Sequence, residues 1–439
     1  MNLNNFRNFT YFDYVLFLSV LLLSTIGVLF IYSSGVNSAG ECVSYEFVKQ
    51  IIWGVTGLLI MLAITLVDYR RIADRTFLIF CVAIFLLLYT RIFGRYVNGA
   101  KSWLGIGELG IQPSEFMKIV YILYLAYFLD KSDRVESPFS RFMKALAIMG
   151  VPMLLILSQP DLGTASVYIP IFLAMCFMAG VPLRYLGMVF LGGALTIVLT
   201  VLPLWQSSIL KHSVAAIRIL TEPHLTMVAL VALLIVTVLA LIGRLMFKAK
   251  YYYWIAYATG IITFALIGSI GASHVLKDYQ IMRLIVFMDP KVDPLGSGWN
   301  IIQSITAIGS GGPIGLGFLK GTQSHYRFLP QQSTDFIFSI LSEEWGFIGG
   351  FVVFGLYSLI IGRGVVIIKK TENSFGTLIA TGIVAMYFFH FIVNIGMVMG
   401  TMPITGIPLL FLSYGGSSLW TAMIAAGILM SINMRRLEH

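Results

Sequence analysis

The chain has little of what a soluble protein uses to face water. Only 11% of its 439 residues are Asp, Glu, Lys or Arg, whereas 58% are hydrophobic, and the mean hydropathy is +0.89. Soluble domains carry about 25% charged residues. This composition cannot cover a water-exposed surface, so lipid must be the solvent for most of the chain. The sequence therefore predicts an integral membrane protein.

Cysteine is equally scarce, which excludes two further classes of protein. Cys42, Cys81 and Cys176 are far apart and form neither a disulfide framework nor a metal-ligand spacing. Basic residues outnumber acidic ones, 29 to 20. They occur in short clusters between apolar runs, a pattern typical of membrane topology and not of nucleic-acid binding. The first apolar run lacks a cleavage site, so we expect a first membrane helix there and not a removed signal.

What the chain does have is a series of apolar runs of about 20 residues, the length that spans a bilayer. They begin near Tyr14, Val48, Thr76, Pro113, Phe142, Leu162, Leu183, Leu225, Tyr253, Asp335, Thr377 and Ile407. The closely spaced runs are separated at Pro160 and Pro182, and proline opens a helix readily. We predict an all-α polytopic membrane protein of about twelve helices, forming one integral membrane domain over residues 1–439.

The distribution of Lys and Arg predicts the orientation, because cytoplasmic loops carry more of them. With the N-terminus inside, the inner segments hold Arg70, Arg71, Arg75, Lys131, Arg134, Arg141, Lys144, Arg244, Lys248, Lys250, Arg363, Lys369, Lys370, Arg435 and Arg436. Both termini are therefore predicted to be cytoplasmic. Three polar stretches then face outward: residues 94–115, residues 158–164, and a long loop over residues 274–335 before the tenth helix.

This outer loop is far longer than most connections, which favours a functional role. Its glycines between Gly309 and Gly317 permit close backbone approach and positive φ. They suit either a cradle for an anionic group or a loop folded tightly onto the helices, and the glycines alone favour the second.

Asp335 ends the outer loop and precedes an apolar run. Ser333 and Thr334 before it are residues that can cap a helix. One interpretation is a first-turn acid that complements the helix dipole. The other is a carboxylate at the boundary of water and bilayer that acts as a general base. Acids at membrane depth are costly and usually functional, and on these residues alone the two interpretations carry equal weight.

Glu115 and Lys118 are three residues apart in the run that opens at Pro113, so they share a helix face. They predict a buried ion pair or, near an outward-facing helix start, a site for a phosphate. Lys49 precedes an apolar run, where it suits either a similar depth or an ordinary lysine that reaches the membrane edge, and its position alone favours the second. Asp161 suits a cap. We interpret His390 as a satisfied interior histidine, and His274 and His325 have no metal spacing.

Seven segments, in order along nearly the whole chain, resemble the SEDS family, the shape, elongation, division and sporulation proteins of bacteria. The segments are NGAKSWL, IQPSEFMKI, QPDLGTA, DPLGSGWNIIQSITAIGSGG, LKGTQS, FLP followed by STDFIF, and PITGIPLLFLSYGGSS. The wording of DPLGSGWN and GTQS is closer to the elongation branch than to the division branch. The resemblance implies a peptidoglycan glycosyltransferase that joins lipid II units at the outer face of the cytoplasmic membrane.

The resemblance also implies roles for individual residues. Asp335 would be the catalytic base, with undecaprenyl pyrophosphate leaving in an inverting transfer. The residues implied to bind substrate or pyrophosphate are Glu115, Lys118 and Lys49, with Asp161, Lys101, Gln303 and Ser310 in support. The chain departs from the family at Gln331 and Ser333, where relatives often carry an acid and a histidine, so these two positions receive no catalytic role.

The family usually has about ten spans, so residues 205–253 are predicted to be an insertion that carries one extra helical hairpin. The implied partners are lipid II, membrane lipids and a class B penicillin-binding protein, which is a transpeptidase, and no nucleic acid. No cofactor is certain, although a divalent cation, magnesium or manganese, stays open. The alternative function is a lipid II flippase, since twelve spans and polar residues within them also suit transporters.

Overall fold

The computed structural model describes residues 11–97, 100–106, 109–133, 135–210, 212, 214–276, 278–294 and 296–436. Its first α-helices are α1 (Tyr14–Ser34), α2 (Glu46–Leu66), α3 (Thr76–Phe93), α4 (Pro113–Ser132), α5 (Pro138–Leu157), α6 (Leu162–Ser166), α7 (Tyr168–Met178), α8 (Leu183–Trp205) and α9 (Ala215–Thr221). The later ones are α10 (Pro223–Phe247), α11 (Lys250–Val275), α12 (Asp278–Met288), α13 (Ser297–Gly311), α14 (Thr322–His325), α15 (Ile337–Lys370), α16 (Ser374–Val398) and α17 (Gly416–Met434).

The prediction of a helical, multi-pass membrane protein is confirmed. Among the described residues, ten helices are long and apolar enough to cross a bilayer. A shorter apolar helical segment covers Leu162–Met178. The helix α4 is long enough to span, and it carries the pair Glu115 and Lys118 in its first two turns. Each predicted run therefore overlaps a helix, apart from the start of the last one.

The last span begins later than predicted, at Gly416 and not near Ile407. Pro403 and Pro408 interrupt a regular helix before it, since proline lacks a backbone donor and clashes with the preceding turn. The non-helical stretch over residues 402–415 is nevertheless buried and apolar around Leu409 and Leu412. Lipid offers no hydrogen-bond donors, so the carbonyl groups of this stretch need partners inside the protein.

The stretch of residues 274–335, predicted as one polar loop, is partly helical and includes α12 and α13. In α12, Ile281 and Ile285 recur at helical spacing and are buried. The prediction of an all-α fold missed a small antiparallel sheet between α3 and α4. Its strands are β1 (Arg95–Val97), β2 (Ala100–Ile106) and β3 (Leu109–Ile111).

The glycines of the 274–335 stretch fold it tightly onto the helices, as the sequence favours, and the helix that they contact is α15. Gly312, Gly315 and Gly317 have φ values of 56°, 84° and 102°. The Gly317 amide donates to the Glu344 carbonyl at 2.9 Å. At this point α15 is broken at Gly346, which has a φ of 63°. A Cβ on Gly346 would lie 2.3 Å from the Gly315 nitrogen, so only glycine fits this backbone contact.

The chain divides into two compact units, one of residues 1–180 with 299–439 and one of residues 181–298. In the first, α16 and α17 are the most buried spans. The α17 helix packs closely on α2, where a Cβ on Gly427 would lie 2.6 Å from the Met61 carbonyl oxygen.

In the second unit, α10 and α11 form a hairpin, and the hydroxyl of Thr237 donates to that of Thr259 at 2.8 Å. The segment predicted as an insertion, residues 205–253, lies within this unit and stays a prediction.

An ion pair joins the start of α1 to α15 in the first unit. The Arg363 Nε atom lies 3.0 and 2.9 Å from the two carboxylate oxygens of Asp13. Asp13 is buried and also caps α1, accepting from the Leu16 amide at 3.1 Å. The same carboxylate therefore caps the start of α1 and forms an ion pair with α15.

We expect Asp13→Ala to lower the free energy of unfolding by about 3 kcal/mol. About 1 comes from the lost cap and about 2 from the pair, less than for a fully buried pair because Arg363 is partly exposed. Asp13→Asn keeps a capping oxygen and should lose less. Thermal unfolding in detergent measures both, and equal unfolding temperatures for the two variants and the unmodified protein would contradict the pairing.

Candidate functional site

The helix α4 brings Glu115 and Lys118 together, as their spacing predicts. Proline at the first position opens the helix, and no side chain caps it. The Lys118 Nζ atom lies 3.0 and 2.9 Å from the two oxygens of Glu115. The side chains are 0% and 4% exposed, so this is an ion pair inside the protein and not a surface contact.

His390 on α16 completes the surroundings of the Lys118 ammonium. Its Nε2 atom lies 3.2 Å from Nζ, and its Nδ1 atom lies 3.0 Å from the Pro408 carbonyl oxygen. A carbonyl only accepts, so Nδ1 carries the proton and Nε2 accepts from Lys118. The interpretation of His390 as a satisfied interior histidine is confirmed, but its contact with the ion pair was not predicted.

This arrangement uses all three protons of the ammonium, two on Glu115 and one on His390. A phosphate that binds Lys118 directly would have to displace one of these acceptors. The same donor set does not fit a divalent cation, because both Glu115 oxygens face an ammonium that would repel the metal. Within the described part of the chain, no three His, Cys, Asp or Glu residues are placed to hold a metal ion.

Asp335 lies in the turn before α15, half-buried. The predicted cap by Ser333 or Thr334 is wrong, since Phe336 occupies the capping position and makes no side-chain cap hydrogen bond. Backbone contacts fix the turn instead: the Asp335 amide donates to the Gln331 carbonyl at 3.2 Å. Gln331 has a φ of 52°, an uncommon conformation for this residue type.

Two other segments hold the same turn. The Tyr414 amide donates to the Ser333 carbonyl at 2.9 Å, and the Gln332 side-chain amide donates to the Ser34 carbonyl at 2.7 Å. The Asp335 peptide is thus fixed against both the end of α1 and the stretch before α17.

Asn394 links this turn to the ion pair. Its Nδ2 atom donates to the Asp335 carbonyl at 3.0 Å and to the Ile407 carbonyl at 2.8 Å. His390 precedes it by four residues on α16, so the two side chains share a face. One continuous set of contacts therefore runs from Glu115 and Lys118 through α16 to the backbone of Asp335. Sequence reasoning missed Asn394, although polar residues at positions i and i+4 in a membrane span are a usable signal.

Asp161 has the capping role that its position predicts. One carboxylate oxygen accepts from the Thr164 amide at 3.0 Å, and the other accepts from the Gln112 side chain at 2.9 Å. Burial raises the pKa of the Asp161 carboxyl, while the hydrogen bonds from Thr164 oppose that shift. Because Gln112 directly precedes α4, Asp161 also fixes the start of the helix that carries Glu115.

The remaining predicted residues lie elsewhere or act locally. Lys49 is half-buried in the first turn of α2. The Lys101 ammonium donates to the Ile92 carbonyl at 2.8 Å, near the end of α3. Ser310 bonds to the Ala307 carbonyl of its own helix at 2.8 Å, and Gln303 is half-buried on that helix.

A second buried polar cluster, which sequence reasoning missed, lies where the glycine-rich segment meets α15. One oxygen of Glu343 accepts from the Thr322 amide, the Thr322 hydroxyl and the Gln323 amide at 2.7, 2.9 and 2.9 Å. Glu344 accepts from the Ser33 hydroxyl and from the Leu319 amide. The two adjacent carboxylates therefore hold residues 319–323 in place.

The chain is similar to known proteins of one family over nearly its whole length. The model of the FtsW, RodA and SpoVE family of cell cycle proteins matches residues 13–212 and 204–438. The peptidoglycan glycosyltransferase RodA of Treponema pallidum is 58% identical over 98% of this chain and 99% of its own. The peptidoglycan glycosyltransferase MrdB of Escherichia coli is 33% identical over 87% of this chain and 83% of its own.

The fold has a counterpart among solved structures. A chain of a peptidoglycan synthase complex, described for its coordination of polymerization and crosslinking, aligns with a TM-score of 0.68. The alignment covers 98% of this chain and 99% of the other at 23% identity. At that identity the likeness supports the shared fold and no residue role.

The ion pair on α4 can be tested by its effect on stability. Lys118→Met leaves the buried carboxylate of Glu115 uncompensated, so we expect a loss of about 3 kcal/mol. Adding Glu115→Gln removes that charge and should restore most of the loss. Thermal unfolding in detergent measures both variants.

The matched control for this test is Lys144→Met, whose pair with Glu136 is largely exposed on the lysine side. It should change stability by less than about 1 kcal/mol. A double variant at Glu115 and Lys118 that is no more stable than Lys118→Met alone would show that the two charges do not depend on each other.

Proposed function

The chain belongs to the FtsW, RodA and SpoVE family of cell cycle proteins, and from this membership we propose that it is a peptidoglycan glycosyltransferase that polymerises lipid II. The observation that carries the residue-level proposal is the turn at Asp335, fixed by contacts to three other segments. A base must be held at one place to take a proton from one hydroxyl group.

Asp335 acts as the general base in this proposal. Its carboxylate removes the proton from the 4-hydroxyl of the acceptor sugar as that oxygen bonds to the anomeric carbon of the donor. The bond from this carbon to undecaprenyl pyrophosphate breaks on the opposite side, so the transfer inverts the anomeric centre. A positioned base contributes about 10² to 10⁴ in rate. Asp335 is half-buried, so the residue is not closed off from an acceptor sugar.

Asn394 is a positioning residue for Asp335. It holds the Asp335 carbonyl and the Ile407 carbonyl with one amide group, so the turn and the stretch before α17 keep one spacing. His390, one turn before Asn394 on α16, supports the same stretch through a hydrogen bond to the Pro408 carbonyl. These contacts reach the turn and the stretch through backbone carbonyl groups, so they position Asp335 without binding its side chain themselves.

Glu115 and Lys118 support pyrophosphate binding indirectly in this proposal. The pair is buried and saturated, so its part is to fix α4, whose start at Pro113 has no side-chain cap and offers an anion the partial positive charge of a helix N-terminus. Lys49, half-buried at the start of α2, supplies a cation for the same leaving group. Lys101, Gln303 and Ser310 keep only supporting roles.

The proposed orientation follows from the charge bias: both termini are cytoplasmic, and Asp335 faces outward. The proposed partner is a class B penicillin-binding protein, a transpeptidase. A relative of the same fold is described in a peptidoglycan synthase complex that couples polymerization to crosslinking, which supports such a partner.

Asp335→Asn should reduce lipid II polymerisation at least about 100-fold, because an amide cannot accept the proton. The purified protein, with its partner, is given lipid II, and the glycan chains are separated on a gel. Asp289→Asn is the control, since Asp289 lies in the same outer stretch and caps a turn through Lys291. Normal chain formation by Asp335→Asn would refute the base assignment, whereas transport of lipid II without polymerisation by the unmodified protein would favour a flippase.

Cysteine labelling tests the orientation. Ala39, between α1 and α2, and Val135, between α4 and α5, are both exposed. In intact cells, a membrane-impermeant maleimide should label Ala39→Cys. It should label Val135→Cys only after the membrane is opened. The reverse pattern would place Asp335 on the cytoplasmic side and contradict the proposed site of polymerisation.

A further inference from the structure

A cavity of about 300 Å³ lies at the turn between α10 and α11, within the second unit. Its lining consists of Arg244, Lys248, Ala249, Lys250, Tyr253 and Trp254. Three of these six residues are cations. No acidic residue lines the cavity.

The cations also lack acidic partners nearby in the described part of the chain. No carboxylate forms an ion pair with Arg244, Lys248 or Lys250 there. The nearest acid along α10 is Glu222, at the opposite end of a helix of 25 residues, and it pairs with Arg218. At 1.5 Å per residue this end is more than about 30 Å away. Three positive charges therefore meet around one concave surface without compensation.

Local backbone geometry builds this surface. Lys248 ends α10 in a left-handed conformation, with a φ of 52°. The next helix, α11, starts at Lys250, and no side chain caps its first amide groups. An uncapped start of a long helix adds backbone donors and a partial positive charge to the cavity. The feature is independent of the lysine and arginine side chains.

Aromatic and apolar side chains give the site a membrane setting. The Arg244 guanidinium lies 4.5 Å from the centre of the Tyr253 ring, which holds its charge beside the cavity. Trp254 and Tyr251 are exposed, as is usual where a span meets the headgroup region. Leu245 and Phe247 are 79% and 67% exposed and flank the same turn. Acyl chains can cover these apolar side chains while a headgroup enters the cavity.

We propose that this cavity is a binding site for a phosphate-bearing anion, in the headgroup of an anionic lipid or as a soluble phosphate. Three cations without acidic partners, an uncapped helix start and a half-open cavity of suitable size meet at one point. Loop cations that only set membrane topology require none of these features. The inference does not depend on the proposed glycosyltransferase activity or on its residues.

The test compares the purified protein with a triple variant, Arg244→Gln with Lys248→Gln and Lys250→Gln. Native mass spectrometry measures binding of phosphatidylglycerol and of neutral phosphatidylcholine. Each cation contributes about fivefold in affinity for an anionic lipid, so we expect the variant to bind phosphatidylglycerol about 100-fold more weakly. Binding of phosphatidylcholine should not change. A control variant neutralises three exposed cations elsewhere, Arg71, Lys369 and Lys370, and should bind both lipids as the unmodified protein does.

A second arm identifies the source of the phosphate. In detergent without added lipid, glycerol 3-phosphate and inorganic phosphate are titrated while the unfolding temperature is followed. If either raises it in the unmodified protein and not in the triple variant, the site accepts a soluble phosphate. If only phosphatidylglycerol distinguishes the two proteins, the ligand is a lipid headgroup. If neither does, the proposal is wrong.

A third measurement covers the case in which the triple variant does not fold. In the chain with its cations intact, brominated phosphatidylglycerol should quench tryptophan fluorescence more than brominated phosphatidylcholine. Trp254→Phe should remove that difference, because Trp254 lines the cavity. Equal quenching by the two lipids in the unmodified protein, with no rise in unfolding temperature from either soluble phosphate, would overturn the proposal.

Discussion

Backbone carbonyl groups of the stretch before α17 must find hydrogen-bond donors inside the protein, because lipid offers none. This constraint organises the candidate site. Prolines prevent a regular helix in this stretch, so the carbonyls of Ile407 and Pro408 have no partner within a helix. They accept hydrogen bonds from Asn394 and His390. The same two side chains reach the Asp335 carbonyl and the Lys118 ammonium. The non-helical stretch thus requires polar side chains on α16, and these side chains link the Asp335 turn to the Lys118 ammonium within an apolar interior.

Much of the fold follows from the sequence, because a helix that crosses the bilayer must be apolar and about 20 residues long. The length of the apolar runs predicts the helices to within a few residues at Tyr14, Leu162 and Leu183. The spacing of Glu115 and Lys118 predicts their pairing, since three residues along a helix bring side chains together. The glycines of the 274–335 stretch predict that it folds tightly onto the helices, although they do not predict that the helix is α15.

Other features depend on contacts between distant segments, which no local pattern encodes. The approach of His390 to Lys118 joins positions 272 residues apart. The cap expected from Ser333 and Thr334 did not form, because the turn is held by Tyr414 and Asn394 from other parts of the chain. The start of the last span was misplaced because a buried apolar stretch with prolines resembles a helix in composition. Tertiary contacts override local preference at each of these positions.

The saturated ammonium of Lys118 has a consequence for the design of inhibitors. A compound that offers an anionic group to this lysine must first break its bonds to Glu115 or His390, which lie in the protein interior. Much of the binding energy would be spent on that exchange. The turn at Asp335 is half-buried, and contacts from other segments hold its backbone. This turn is therefore more accessible to a ligand than the fully buried lysine.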